Sequence, residues 1–205
     1  DRFPVIRITS AGLFPAGFGR IVGLPRMILR LLFACLTLSA FAAEPGLVRS
    51  EFIFETNPVP SCHATTIVEA RDGTLVAAWF AGEAEGKPDV SIWTARQVDG
   101  KWSAPVKVAE GTQPDGKRFP CWNPVLFQPK EGPLQLYYKV GPNPVEWWGL
   151  LRLSDDNGKT WGEPRRLPDG ILGPIKNKPV QLKDGSILSG SSAWPDQRRH
   201  YLVLR

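Results

Sequence analysis

The side chains of this 205-residue sequence best suited to moving protons or holding an anion fall in a few short stretches. His63 is one of two histidines, and an imidazole titrates close enough to neutrality to serve as acid or base. The run Gly82-Glu83-Ala84-Glu85-Gly86-Lys87-Pro88-Asp89 sets three carboxylates in a Gly-flanked loop, where Glu85 or Asp89 can act as a general acid. Lys139, Lys176 and Lys178 are point charges able to grip a carboxylate. Trp122, Trp147 and Trp148 offer flat apolar faces on which a ring can stack, with Asn123 and Asn177 close by in sequence. Each group also has a structural reading: a hydrogen-bonded turn histidine, a solvated acidic loop, surface lysines, tryptophans that fill a core. The choice depends on which elements bring them together.

Those elements repeat. Residues 62–108 lie over 121–167 at a fixed offset of 59, with Cys62 over Cys121, Gly73 over Gly132, Trp102 over Trp161 and Pro105 over Pro164. Self-similarity at such a period means one supersecondary unit stacked on copies of itself. Each unit holds four short runs of β-branched and aromatic residues separated by Gly, Pro, Asp and Asn. The pattern predicts strands over 63–69, 74–81, 90–97 and 102–108, then over 122–128, 134–140, 149–153 and 161–167. Asp72-Gly73 and Glu131-Gly132 fall where hairpin turns are wanted. A third unit begins near 178–182, turns at Asp184-Gly185, continues through 186–192 and is in its third strand at Arg205.

Four antiparallel strands per repeat is the plan of a β-propeller blade. The fold class is therefore all-β, an incomplete propeller of about three blades over 62–110, 121–168 and 176–205. Propellers close with about four to eight blades, which makes this chain, by expectation, the front portion of a larger protein. If first strands line the axis, their approaches and the second-to-third connections open on one face. That face gathers His63, the 82–89 loop, Trp122-Asn123, residues 139–148, Lys176-Asn177-Lys178 and Ser191-Ser192.

Ahead of the repeats, Met27-Ile28-Leu29-Arg30 and an apolar run ending Ala40-Phe41-Ala42 read as a signal peptide over 27–42. The run is too short for a transmembrane helix. Residues 1–26 read as upstream sequence and 43–205 as the propeller portion, so export to the periplasm or the exterior is expected, with no membrane span. The formal charge of +5 does not argue for nucleic acid, because five basic residues and one acid lie in 1–42 and the remainder is close to neutral. Cys62 and Cys121 occupy equivalent positions; export permits a disulfide between them, and the alternative is two small buried residues near a crowded ring centre. His63 and His200 are far apart, no Cys-x-x-Cys occurs and no Gly-rich phosphate loop is present, so neither a metal nor a cofactor is expected.

One octamer is more specific. Ser154-Asp155-Asp156-Asn157-Gly158-Lys159-Thr160-Trp161 carries Ser-x-Asp-x-Gly-x-x-Trp, in which a short acid accepts turn hydrogen bonds, Gly takes the left-handed position and Trp packs back over the corner. A degenerate copy covers 98–105. The pattern, and its place between third and fourth strands, resembles the Asp box or BNR repeat of the sialidase (neuraminidase) superfamily, over about residues 50–205. The resemblance implies that Ser154, Asp156, Gly158 and Trp161 are structural and lie on the rim away from the active site. It also implies a glycan substrate on the opposite face, with Glu85 or Asp89 as the acid by loop position; His63, by its own chemistry, can act as acid or base or help Lys176 and Lys178 to hold the substrate anion. Trp122, Asn123, Lys139, Trp148, Lys176, Asn177 and Lys178 would then hold a terminal, acidic sugar.

The sequence also departs from that pattern. Such sialidases open the first blade with an Arg-Ile-Pro motif whose Arg begins a three-Arg clamp, and here the stretch reads Cys62-His63-Ala64-Thr65. The Tyr and Glu of the family's nucleophile would lie beyond Arg205. Three readings follow: an exported sialidase-like glycoside hydrolase, a uronic-acid polysaccharide lyase on the same fold with His63 as its proton-transfer group, and a non-catalytic glycan-binding propeller.

Overall fold

The computed structural model describes residues 49–56 and 58–191 in full, and residues 192 and 199–204 as backbone. The expectations for 1–26 and 27–42 lie outside the described residues. Among the described residues twelve strands run in chain order: β1 Ser61–Glu69, β2 Leu75–Gly82, β3 Ser91–Val98, β4 Lys101–Trp102, β5 Val106–Ala109, β6 Cys121–Phe127, β7 Leu134–Val140, β8 Trp148–Ser154, β9 Arg165–Arg166, β10 Val180–Gln181, β11 Ile187–Ser192 and β12 Arg199–Leu204. They form three antiparallel meanders: β1-β2-β3 with both β4 and β5 on β3, then β6-β7-β8-β9, then β10-β11-β12. No helix among the described residues is long and apolar enough to cross a membrane.

Burial explains why β2 is an almost unbroken apolar run. Val76, Ala78 and Phe80 face the second sheet, where they meet Leu134, Leu136, Tyr138 and Val140 of β7 in one core. Ala77, Trp79 and Ala81 point the other way and are covered by Ile53, Phe54 and Val59. A strand buried on both faces loses the usual alternation of polar and apolar residues. Trp79, Tyr138 and Ile92 are almost fully buried, each a side chain whose removal from water stabilises by about 2 kcal/mol.

Two backbone clasps bind the first two sheets as well. Arg96 of β3 donates Nε–H to the Asn157 carbonyl at 2.8 Å, and Arg152 of β8 donates to the Val108 carbonyl.

The fourth strands are shorter than the sequence predicts. In place of 102–108 the first sheet has β4 and β5, interrupted around Pro105, and in place of 161–167 the second has only β9, between Pro164 and Pro168. Proline cannot donate to a ladder, so an outer strand containing it breaks into pieces. The first repeat also replaces the Asp box by a two-residue hairpin, with Asp99 (φ 51°) and Gly100 (φ 74°) both left-handed between Val98 and Lys101. Two positive φ angles in succession suit the twist of the flanking strands.

No disulfide joins Cys62 to Cys121; both are free, the first exposed and the second buried. Cys121 sits in the core shared by sheets one and two, where burial pushes its thiol up to about 12. Cys62 holds the corresponding place in β1 opposite Ala81, on the side of its sheet away from that core.

Candidate functional site

The first strands of the two complete sheets carry the same irregularity. In β1 the register with β2 slips between His63 and Thr66, and in β6 the register with β7 slips between Trp122 and Val125. At each slip a non-glycine residue is left-handed, Ala64 at φ 55° and Asn123 at φ 39°. An alanine there is uncommon and strained by about 1 kcal/mol. Asparagine tolerates the conformation better, and Pro124 after it cannot donate to the ladder, which favours a bulge.

These bulges open onto a cleft of about 570 Å³, lined by His63, Thr66, Phe80, Glu85, Asn123, Lys176 and Lys178 among others. On one wall His63 Nδ1 lies 2.8 Å from Glu85 Oε2, both side chains about half exposed. The His63 ring is 5.7 Å from that of Phe80, which fixes the imidazole against the end of β2. Pairing through Nδ1 turns Nε2 into the nitrogen able to meet a substrate. On the other wall Lys178 Nζ reaches the Leu126 carbonyl at 3.0 Å and Thr66 Oγ1 at 3.4 Å. Partial burial draws its amine below the ordinary lysine range. The arrangement can exchange a proton on one side and neutralise an anion on the other.

The structure thus brings His63, Glu85, Asn123, Lys176 and Lys178 together, with Asn177 exposed between the two lysines. Asp89 takes a different place: its Oδ2 accepts the Glu83 N–H at 2.7 Å and latches the acidic loop. Trp122 is 6% exposed and donates Nε1–H to the Gly141 carbonyl at 2.9 Å. It packs between Phe80 and Trp147, at centroid separations of 6.1 and 6.2 Å. Trp148 meets Phe119 edge-on and carries the Arg166 guanidinium over its ring at 5.0 Å.

Lys139 lies wholly inside, its Nζ donating to the Pro174 carbonyl, and burial pushes the amine down to about 7. It anchors the segment that delivers Lys176 and Lys178. Thr66 and Phe80 were not legible as site residues in the sequence. Nothing in a β-branched or apolar run marks which member borders a bulge. Among the described residues, no group of three or more His, Cys, Asp or Glu could hold a metal ion.

The corner at 154–162 is built at the opposite end of the strands. Asp156 accepts from Ser154 Oγ (2.8 Å), Thr160 N (2.9 Å) and Thr160 Oγ1 (2.6 Å), and these donors hold its carboxyl at about 2 against the opposing effect of burial. Ser154 Oγ in turn accepts the Gly158 N–H at 2.8 Å. Gly158 is left-handed (φ +81°), and a Cβ there would lie 3.2 Å from Val76 Cγ1 of the first sheet. Trp161 packs half-buried against the core between the sheets.

The sequence matches the BNR repeat-like domain over residues 73–204. No curated protein matches it. Among solved structures the fold is similar to a Hadza microbial sialidase, Hz136, at 15% identity and TM-score 0.56 over 69% of this chain and 34% of that one. It is similar to a protein of unknown function from Dyadobacter fermentans at 19% identity and TM-score 0.53, over 70% of this chain and 51% of that one. A thermostable family-43 glycoside hydrolase is similar at 15% identity and TM-score 0.50, over 74% and 55% of the two chains. The chain thus spans about a third to a half of the length of these structures. Identities this low speak to fold alone. The family match covers well over half of the residues, and with the stacked antiparallel sheets it makes the chain a member of the BNR repeat-like family, a portion of a sialidase-like β-propeller.

Proposed function

We propose that this chain supplies part of the active face of an exported glycoside-processing propeller acting on terminal acidic sugars. The observation that carries the reading is the meeting in one open cleft of a His63–Glu85 pair with Lys176 and Lys178 opposite. Glu85, as the carboxylic acid, gives its proton to the glycosidic oxygen as the bond from that oxygen to the anomeric carbon breaks; water supplies the new bond at that carbon, and the proton it releases returns to Glu85 by way of His63. Lys176 and Lys178 hold the carboxylate of the sugar, and Asn123 at the bulge is placed to read a neighbouring hydroxyl. Two structures of similar fold, a sialidase and a family-43 glycoside hydrolase, support a carbohydrate substrate.

The test is turnover of fluorogenic sialosides and hexuronides by the full-length protein that carries this chain and by two variants of it. Glu85→Gln is expected to lower kcat at least about a hundredfold, the usual worth of a positioned general acid. Lys178→Met is expected to raise KM about tenfold or more, as loss of one charge-assisted contact would. Unchanged kcat in Glu85→Gln sinks the assignment.

A second reading has its own support. A carboxylate on Nδ1 holds the imidazole in place and leaves Nε2 to take a proton, the geometry that abstraction of a proton α to a uronic carboxylate requires. An ultraviolet-absorbing unsaturated product from a polyuronate, with no reducing sugar released from sialosides, would favour the lyase. Binding of acidic sugars without turnover of any would favour a glycan-binding module.

A further inference from the structure

Beside the cleft lies a second cavity of about 330 Å³, bordered by the loop leading into β8 and by the connection that leaves β9. We propose that it is a second sugar subsite, taking a neutral pyranoside unit of the glycan whose acidic end occupies the His63 cleft. The proposal rests on the function proposed above for that cleft, and extends it to the length and charge pattern of the substrate.

Five observations carry it. The cavity is of ligand-binding size and is bordered by Trp147 and Trp148, both only partly buried; the Trp147 indole suits the apolar face of a pyranose. Polar groups stand at its rim: Arg166 lies over the Trp148 ring at 5.0 Å, and its Nη2 is 3.3 Å from Asp169 Oδ1, with both side chains mostly exposed. A sugar diol can exchange for water at such a pair without desolvating a buried charge. The charges present also select the ligand. The lining holds one arginine, paired with Asp169, and a second acid, Glu146, so an anion gains nothing here, whereas the neighbouring cleft carries two lysines.

The walls are also fixed in advance. Asn143 Oδ1 accepts the Val145 N–H at 2.8 Å and its Nδ2 donates to Glu146 Oε2 at 2.9 Å. Leu167 N–H donates to the Gly149 carbonyl at 2.9 Å. A Cβ on Gly149 would fall 2.6 Å from the Leu172 carbonyl oxygen, so the two backbones touch and the cavity does not depend on a ligand to form.

Continuity with the cleft comes from the connection itself. Residues 166–172 border the outer cavity, and Ile175, Lys176 and Lys178 border the cleft. Leu172 and Ile175 are three residues apart, at most about 10 Å of extended chain, a gap that a short oligosaccharide bridges. The rings of Trp147, Trp122, Phe80 and His63 also form an unbroken series of contacts from one cavity to the other.

The experiment titrates the full chain with sialic acid, lactose and sialyllactose by calorimetry, and repeats the series on Arg166→Ala and Trp147→Ala, with far-ultraviolet circular dichroism as a check on folding. Sialyllactose is expected to bind about tenfold or more tightly than sialic acid, the worth of one good contact. Arg166→Ala is expected to remove that gain and leave the affinity for sialic acid unchanged. Equal affinities for sialic acid and sialyllactose, or a gain untouched by a folded Arg166→Ala, overturn the proposal. Lactose binding that is lost in Arg166→Ala while sialic acid fails to bind would uphold the outer subsite and remove the acidic-sugar reading. Failure of all three ligands removes both.

Discussion

Lysine 139 offers the sharpest test of how the core and the cleft are joined. Its amine is fully buried, bonded to the Pro174 carbonyl and pushed by burial down to about 7, against about 10.4 in an unfolded chain. Between those values the unfolded chain binds a proton that the folded chain does not. Stability therefore rises with pH through that window, by up to about 1.4 kcal/mol per pH unit and on the order of 4 kcal/mol in all. Below about 7 the full penalty of a buried ammonium weighs on the fold. Cys121 acts in the opposite sense: its thiol is raised to about 12, so its contribution is present below about 8.5 and declines above it. Taking the difference between wild type and Lys139→Met cancels the cysteine. Urea unfolding midpoints at half-unit steps from pH 6 to 10 should show wild type gaining on the variant as pH rises, most cleanly between 7 and 8.5. The constant offset between them, which includes the orphaned Pro174 carbonyl at about 1–3 kcal/mol, does not enter the slope. Parallel pH profiles would refute the burial argument, and with it the view that this amine fixes the 174–178 segment from below.

The corner at 154–162 yields two further expectations. Asp156→Ala removes the acceptor for three donors and should lower stability by about 1–3 kcal/mol in urea unfolding at pH 7; because the carboxyl is held near 2, the deficit should shrink only as pH falls from about 4 towards 2. Gly158→Ala meets both a left-handed backbone and Val76 at 3.2 Å, so a loss of at least about 1 kcal/mol is expected, and Val76→Ala in the same chain should recover part of it.

The repeat made the blades legible because its turns and apolar runs recur residue for residue; β7 over Leu134–Val140 coincides with the stretch read from the sequence. The outer strands were harder. Trp102, Val106 and Val108 look like one run, and only the backbone chemistry of Pro105 says that the ladder must break there. Lys139 was read as a lining residue from its place where the second strand gives way to the connection after it; its burial depends on the connection from β9 to β10, which brings Pro174 over it. Asp89 looked as able as Glu85 to be an acid, and the sequence held no sign that its carboxylate closes its own loop. The bulges did leave one trace: a proline at 124, inside a predicted strand, is the mark of an interrupted ladder.

The two clasps between neighbouring sheets, Arg96 on the Asn157 carbonyl and Arg152 on the Val108 carbonyl, bear on how the molecule comes apart. Each joins a side chain of one repeat to the main chain of the other, so neither sheet can detach without giving up both charge-assisted hydrogen bonds. Amide exchange in β2 and β7 will then report a single opening event shared by both repeats, and a lesion in either will register in its neighbour.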